Sequence, residues 1–188
     1  GRVSLIVSNA GVPGPFGPLS VIDPEAWWRS QEIHIKGPVA LLRAALPGMV
    51  ERKRGCVIFV SAIASHMTVA NLSAYLIGKT AQRRLAEIVA FEGKENGVVS
   101  FSIDPGLVAT KLLDDTLASP DAQKWLPGMV ERLGAFREQP NNDGDLARCA
   151  ERCVALASGR YDELSGCYSE LPDDLDKMLA AKRAGGKP

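Results

Sequence analysis

Histidine is nearly missing from this 188-residue chain. There are two, His34 and His66, and neither stands near the closely spaced Cys149 and Cys153. A zinc site would want two close pairs of ligands, so no metal site is expected. The four cysteines, Cys56, Cys149, Cys153 and Cys167, read as free, reduced thiols, which points to a cytoplasmic setting. An excess of charge of either sign is also missing: 22 basic residues face 22 acidic ones, with no basic run before the tail. That argues against nucleic acid or an anionic membrane surface as a partner. No apolar run approaches the roughly 18 residues a membrane span needs. The opening stretch, "GRVSLIVSNAG", lacks the long apolar segment and small-residue cleavage site of a signal peptide.

A glycine-rich phosphate loop is missing too. Gly11, Gly14 and Gly17 are interleaved with Pro13, Pro15 and Pro18. A phosphate cradle needs free backbone N–H groups opening onto a helix, and proline removes those donors. The segment reads instead as a stiff surface loop.

What is present is an ordinary globular balance, 46% hydrophobic and 23% charged, enough for one core. "VSLIV" (3–7), "GCVIFVS" (55–61) and "VVSFSID" (98–104) are apolar β-rich runs, the first reading as a strand buried on both faces. "LSGCYSEL" (164–171) reads as a last strand. Helices are expected over 23–53, opening at Asp23-Pro24, over 71–97, and over 144–159, with a long helical insertion at 110–138. In 71–97 the inward stripe is expected to be Leu76, Ala81, Leu85, Ile88 and Val89. Trp27 or Trp28 should anchor the core, and Trp125, Leu126, Met129, Leu133 and Phe136 sit at packing intervals. Strands alternating with helices predict an α/β fold, a parallel sheet with flanking crossover helices. It forms one domain over 3–175, with a charged tail at 176–188 and a frayed "AGGKP" end.

"SAYLIGK" (73–79) places Tyr75 and Lys79 one helical turn apart. A free tyrosine, with a pKa near 10, exchanges protons poorly at neutral pH, and a nearby ammonium favours the phenolate. Such a pair can act as acid toward a carbonyl or base toward an alcohol.

Four motifs occur in order: "SNAG" after the first strand, "VSAIAS" after the second, "YLIGK", and "DPGLVAT" after the third. Together they resemble the short-chain dehydrogenase/reductase family over residues 3–175. The resemblance implies a doubly wound Rossmann-like sheet that binds NAD or NADP, and oxidoreduction of a small-molecule carbonyl or alcohol. It implies Tyr75 as proton donor or acceptor, and Lys79 as the residue that binds nicotinamide-ribose hydroxyls and lowers the tyrosine pKa. Asn9, Ala10 and Gly11 would form the turn beside the adenine-ribose side of the cofactor. Pro105, Gly106, Leu107, Val108 and Thr110 would line the nicotinamide. A homodimer through helices 23–53 and 71–97 is implied, and 125–136 resembles the mobile substrate lid.

Three departures stand against that pattern. The catalytic serine position, thirteen residues before the tyrosine, holds Ala62; Ser61 is adjacent but faces the other way on a regular strand. Losing such a donor costs about 3–4 kcal/mol at a developing oxyanion. The position of the family's relay asparagine holds His34, a residue that could itself relay protons or could mark an abandoned site. The strands and glycine turn that form the pyrophosphate site should precede Gly1, which leaves "VSLIV" an unprotected edge. The reading is therefore an oxidoreductase impaired in this chain. The alternative is a degenerate, non-redox relative that binds a small molecule or a protein partner.

Overall fold

The structure is a computed structural model that describes residues 2–140 and 143–186. Four parallel strands lie in the order β1-β2-β3-β4: β1 (Leu5–Ser8), β2 (Gly55–Val60), β3 (Val98–Ile103) and β4 (Tyr168–Ser169). Register follows directly from the apolar runs, with Ile6 opposite Val57 and Ile58 opposite Phe101. β4 is shorter than the run 164–171 suggests. A 3-10 turn at Asp162–Leu164 and the left-handed Gly166 (φ +87°) turn the chain, so only two residues pair with β3.

One face of the sheet is covered by α2 (Gly37–Glu51) and α3 (Ser73–Gly93). Leu42, Met49, Ala86 and Val89 meet Ile6, Val57, Phe59 and Val98 there. The other face is covered by α7 (Gly144–Ala157) and α8 (Leu175–Arg183). Leu156, Leu175 and Leu179 meet Ile58, Val60, Phe101 and Ile103. Burying each such side chain stabilises the fold by about 1.5–3 kcal/mol. This second layer includes no β1 residue. Consequently β1 is not buried on both faces: Ile6 and Ser8 are covered, whereas Leu5 and Val7 are each 43% exposed.

The expected helix 23–53 is α1 (Pro24–Gln31) and α2 joined by a π turn, Glu32–Lys36. Asp23 caps α1 by accepting from the N–H groups of Glu25 and Ala26. Trp27 donates its indole N–H to Ser73, while Trp28 stays exposed. The inward face of α3 keeps Leu76 and Val89 of the expected stripe and is otherwise offset: Ala74, Gly78, Lys79, Gln82, Ala86 and Ala90 are buried, and Ile88 is exposed. The insertion is three short helices, α4 (Lys111–Ala118), α5 (Pro120–Trp125) and α6 (Pro127–Arg137). Each break coincides with a proline, which cannot donate to the preceding turn. All four cysteines are free. No helix among the described residues is long and apolar enough to cross a membrane. Of the expected frayed end, Lys187 and Pro188 lie outside the described residues, as does Gly1.

Candidate active site

The carboxyl ends of β1, β2 and β3 carry the loops that hold three of the four motifs, where ligands bind in open parallel sheets. α3 enters beside them, so Tyr75 stands in its first turn and Lys79 one turn on. Two cavities meet at Tyr75. The first, about 440 Å³, is lined by Asn9, Ala10 and Gly11 from β1, Tyr75 and Lys79 from α3, and Pro105 to Val108 with Thr110 after β3. Every residue singled out as a catalytic or cofactor-binding candidate thus borders one space. The second cavity, about 270 Å³, adjoins it and shares Tyr75, Gly106, Leu107 and Leu133 as lining, with largely apolar walls that include Ala62.

Lys79 is 4% exposed. Its ammonium donates to the Val60 carbonyl (2.8 Å) and to Gln82 Oε1 (3.4 Å). An ammonium has three protons, so one donor remains for a ligand. Burial lowers its pKa to about 8, opposed by the attraction of Asp104. Lys79 stands 5.6 Å from the centre of the Tyr75 ring. Burial, with Asp104 adding to it, pushes the Tyr75 phenol up to about 12. The expected lowering by the ammonium is therefore outweighed: the site is dry and the nearest carboxylate repels a phenolate.

The side chain at the asparagine position is fully buried. His34 sits in the π turn, and its Nε2 lies 3.0 Å from the Val12 carbonyl. The Val12 N–H also points at Nε2, at 3.4 Å, so Val12 can meet this nitrogen as acceptor or as donor, and in either case the buried Nδ1 has no partner among the described residues. Burial lowers the His34 pKa to about 4, against the Val12 bond and with the help of Lys79. The imidazole is accordingly neutral at neutral pH and does not titrate there. The ring packs edge-on to Tyr75, with centroids 5.8 Å apart. It fits only because residue 78 is glycine; a Cβ there would lie 2.6 Å from His34 Cγ. Gln82 ties the two helices by donating to the His34 carbonyl (3.1 Å).

Ser61 borders the Tyr75–Lys79 cavity, but its hydroxyl is engaged elsewhere. The residue is 1% exposed, and its Oγ donates to the Lys79 carbonyl (2.9 Å). Ala62 is extended and faces the apolar cavity with nothing to donate.

Sequence reasoning passed over Asp104, Gly78 and Gln82. Asp104 accepts from the N–H groups of Ile63 (3.0 Å) and Gly106, so it ties the ends of β2 and β3 together. Burial raises its pKa. A lone glycine inside a strong helical pattern, at a cost of about 1 kcal/mol, was the available signal for the close approach at 78.

The space fits the nicotinamide-ribose end of a dinucleotide on this structure's own terms. Gly11 has no Cβ to crowd Lys79 and His34, and Lys79 keeps one donor. The side chains of Asn9 and Thr110 make no hydrogen bond among the described residues and stand at its border.

Residues 1–120 match the family model described as short chain dehydrogenase. The chain is 36% identical over 182 residues to the short chain dehydrogenase mpl6 of Monascus purpureus, covering 97% of this chain and 56% of that protein. It is 33% identical over 195 residues to a short chain dehydrogenase of Pseudocercospora fijiensis, covering 100% and 61%. Among solved structures, a short chain dehydrogenase/reductase from Saccharomyces cerevisiae superposes with a TM-score of 0.82 at 25% identity, covering 96% of this chain and 69% of that one. The chain thus spans little more than half the length of these curated relatives.

Proposed function

Because the chain belongs to the short chain dehydrogenase family, we propose that its two cavities hold a nicotinamide cofactor and a carbonyl or secondary alcohol beside Tyr75. The observation that carries this is the shared wall: Tyr75 borders both spaces, with Lys79 in the polar one. NAD or NADP bound in the polar cavity would supply or accept the hydride. Lys79 would bind the cofactor's ribose with its remaining proton, and Thr110 and Asn9 would offer further polar contacts. Tyr75 would give its proton to the carbonyl oxygen as charge develops there. A phenol with a pKa near 12 is protonated at neutral pH, so it can give a proton to a developing alkoxide, whereas taking one from an alcohol needs the phenolate. Alcohol oxidation should therefore rise with pH.

The chemistry is slow in this chain, because the oxyanion meets one protein donor and Ala62 adds none. Substituting Ala62→Ser should raise turnover by about tenfold, part of what such a donor contributes elsewhere. A second reading, a non-redox binder in the same cleft, is favoured by Ala62 and by the high Tyr75 pKa. Titration with NADH and NADPH, followed by nicotinamide fluorescence, separates the two. Saturable micromolar binding supports the redox reading, and no binding at millimolar cofactor defeats it.

β1 reads as an interior strand of a larger sheet, since its outer edge is unpaired among the described residues and Leu5 and Val7 are exposed. Strands beside it would hold the remainder of the cofactor. A homodimer through α1–α2 and α3 is supported by Val39, Leu41, Ile77 and Phe91, the last 85% exposed; Phe91→Glu should give a monomer by light scattering. The free thiols suit a reducing compartment such as the cytoplasm.

A further inference from the structure

The apolar cavity beside Tyr75 has walls of Phe16, Val69, Leu72, Met129 and Leu133, and one basic residue, Arg132. Met129, Arg132 and Leu133 are spaced i, i+3, i+4 on α6, so one helix face presents all three to this space. The face is fixed, because Leu126, Met129 and Val130 pack on Phe16, Leu72 and Leu76. Asn71, itself left-handed (φ +66°), donates to the Trp125 carbonyl (3.0 Å), and Arg137 pairs with Asp114 (2.9 Å).

The carboxylates of α4 and of Asp104 are engaged. Asp114 holds Arg137, Asp115 holds Lys111, and Asp104 takes two backbone N–H groups. Arg132 has no ion pair or hydrogen bond among the described residues. It is an exposed cation at the rim of an apolar cavity, unpaired among the described residues, and a guanidinium matches a carboxylate with two parallel hydrogen bonds.

Asp104 borders the same cavity and is close enough to Tyr75 to raise its pKa. An acid group attached directly to the reacting carbonyl would sit against this carboxylate. An acid group at the far end of an apolar body would reach Arg132 and avoid it.

We propose that Arg132 is a specificity-determining residue that binds the carboxylate of an apolar oxo acid whose acid group lies several atoms from the carbonyl held at Tyr75. This rests on Tyr75 being the residue that meets the carbonyl, but binding tests it without turnover. The full chain and its Arg132→Gln variant would be titrated with 4-oxo-4-phenylbutanoate, its methyl ester and phenylpyruvate, with saturation-transfer NMR and calorimetry as readouts.

The 4-oxo acid should bind about tenfold tighter than its ester and several-fold tighter than phenylpyruvate. Arg132→Gln should remove the preference over the ester while leaving ester affinity within twofold. Equal binding of acid and ester, a preference that survives Arg132→Gln, tighter binding of phenylpyruvate, or binding of none of the three would overturn the proposal. Carboxylate selectivity without nicotinamide-dependent turnover would leave Arg132's role standing and count against the redox reading alone.

Discussion

The two halves of α3 bury different things. Its first three turns bury Lys79 and Gln82 beside Ala74, Leu76 and Gly78, against the equally buried His34, and its last three bury only Ala86, Val89, Ala90 and Gly93, against the sheet. In the distal half, burial stabilises outright. In the proximal half an amine and an imidazole are held dry, with their pKa values pushed down to about 8 and about 4. Each shift measures how much the fold disfavours the charged form. The distal half therefore anchors the helix that the proximal half needs held still, and the two should separate under mutation.

The largest effect expected is kinetic and confined to the proximal half. Tyr75→Phe should lower nicotinamide-dependent carbonyl reduction by roughly 10²–10⁴-fold while the melting temperature barely moves. Steady-state kinetics beside calorimetry check this; comparable turnover in the variant would show that Tyr75 is not the acid.

Lys79 comes next. Its folded pKa, about 8, lies below its ordinary 10.5. The unfolded chain therefore holds its proton more tightly, and stability should rise with pH between 8 and 10.5. The gain attributable to Lys79 approaches about 3 kcal/mol across that window. Denaturant midpoints of the wild type and Lys79→Met, compared at each pH, isolate it from other titrations; parallel curves would place the amine in water.

Gly78→Ala should destabilise by about 2–3 kcal/mol, because the new methyl must displace the His34 ring. It should also lower activity. Val89→Ala should cost about 2 kcal/mol through lost burial and a residual cavity, leaving kcat unchanged below the melt. Equal kinetic damage from Gly78→Ala and Val89→Ala would abolish the distinction between the halves.

Much of the framework was legible in the sequence, since β2, β3, α3 and α7 follow apolar runs bounded by Gly55, Gly97, Pro105 and Gly159. The misreadings share a cause. Periodicity assigns apolar side chains inward, yet Lys79 and Gln82 are inside and Ile88 is outside, because each buried polar group finds a partner that only the tertiary structure supplies. β1 looked double-faced because its run is apolar throughout, and sequence cannot say which strand lacks a covering helix. At the candidate site, Tyr75 and Lys79 and the loop residues were legible from motif order. The direction of the Tyr75 shift was not, because it depends on how dry the site is and on Asp104, a residue 29 positions away in the chain.

The π turn at Glu32–Lys36 bears on how this chain can change over time. A π turn accommodates one residue more than α-helical spacing allows, so it is a single-residue insertion absorbed within the helix. Deleting one of its five residues would return the backbone to α geometry with the downstream register kept, so Leu42 and Met49 would still face β2 and the loss would fall on the turn itself, where His34 meets Val12. A one-residue change in length elsewhere in α2 would instead turn everything beyond it by about 100°. Changes in length should accumulate in the proline-broken run between α4 and α6, where no register is shared with the sheet.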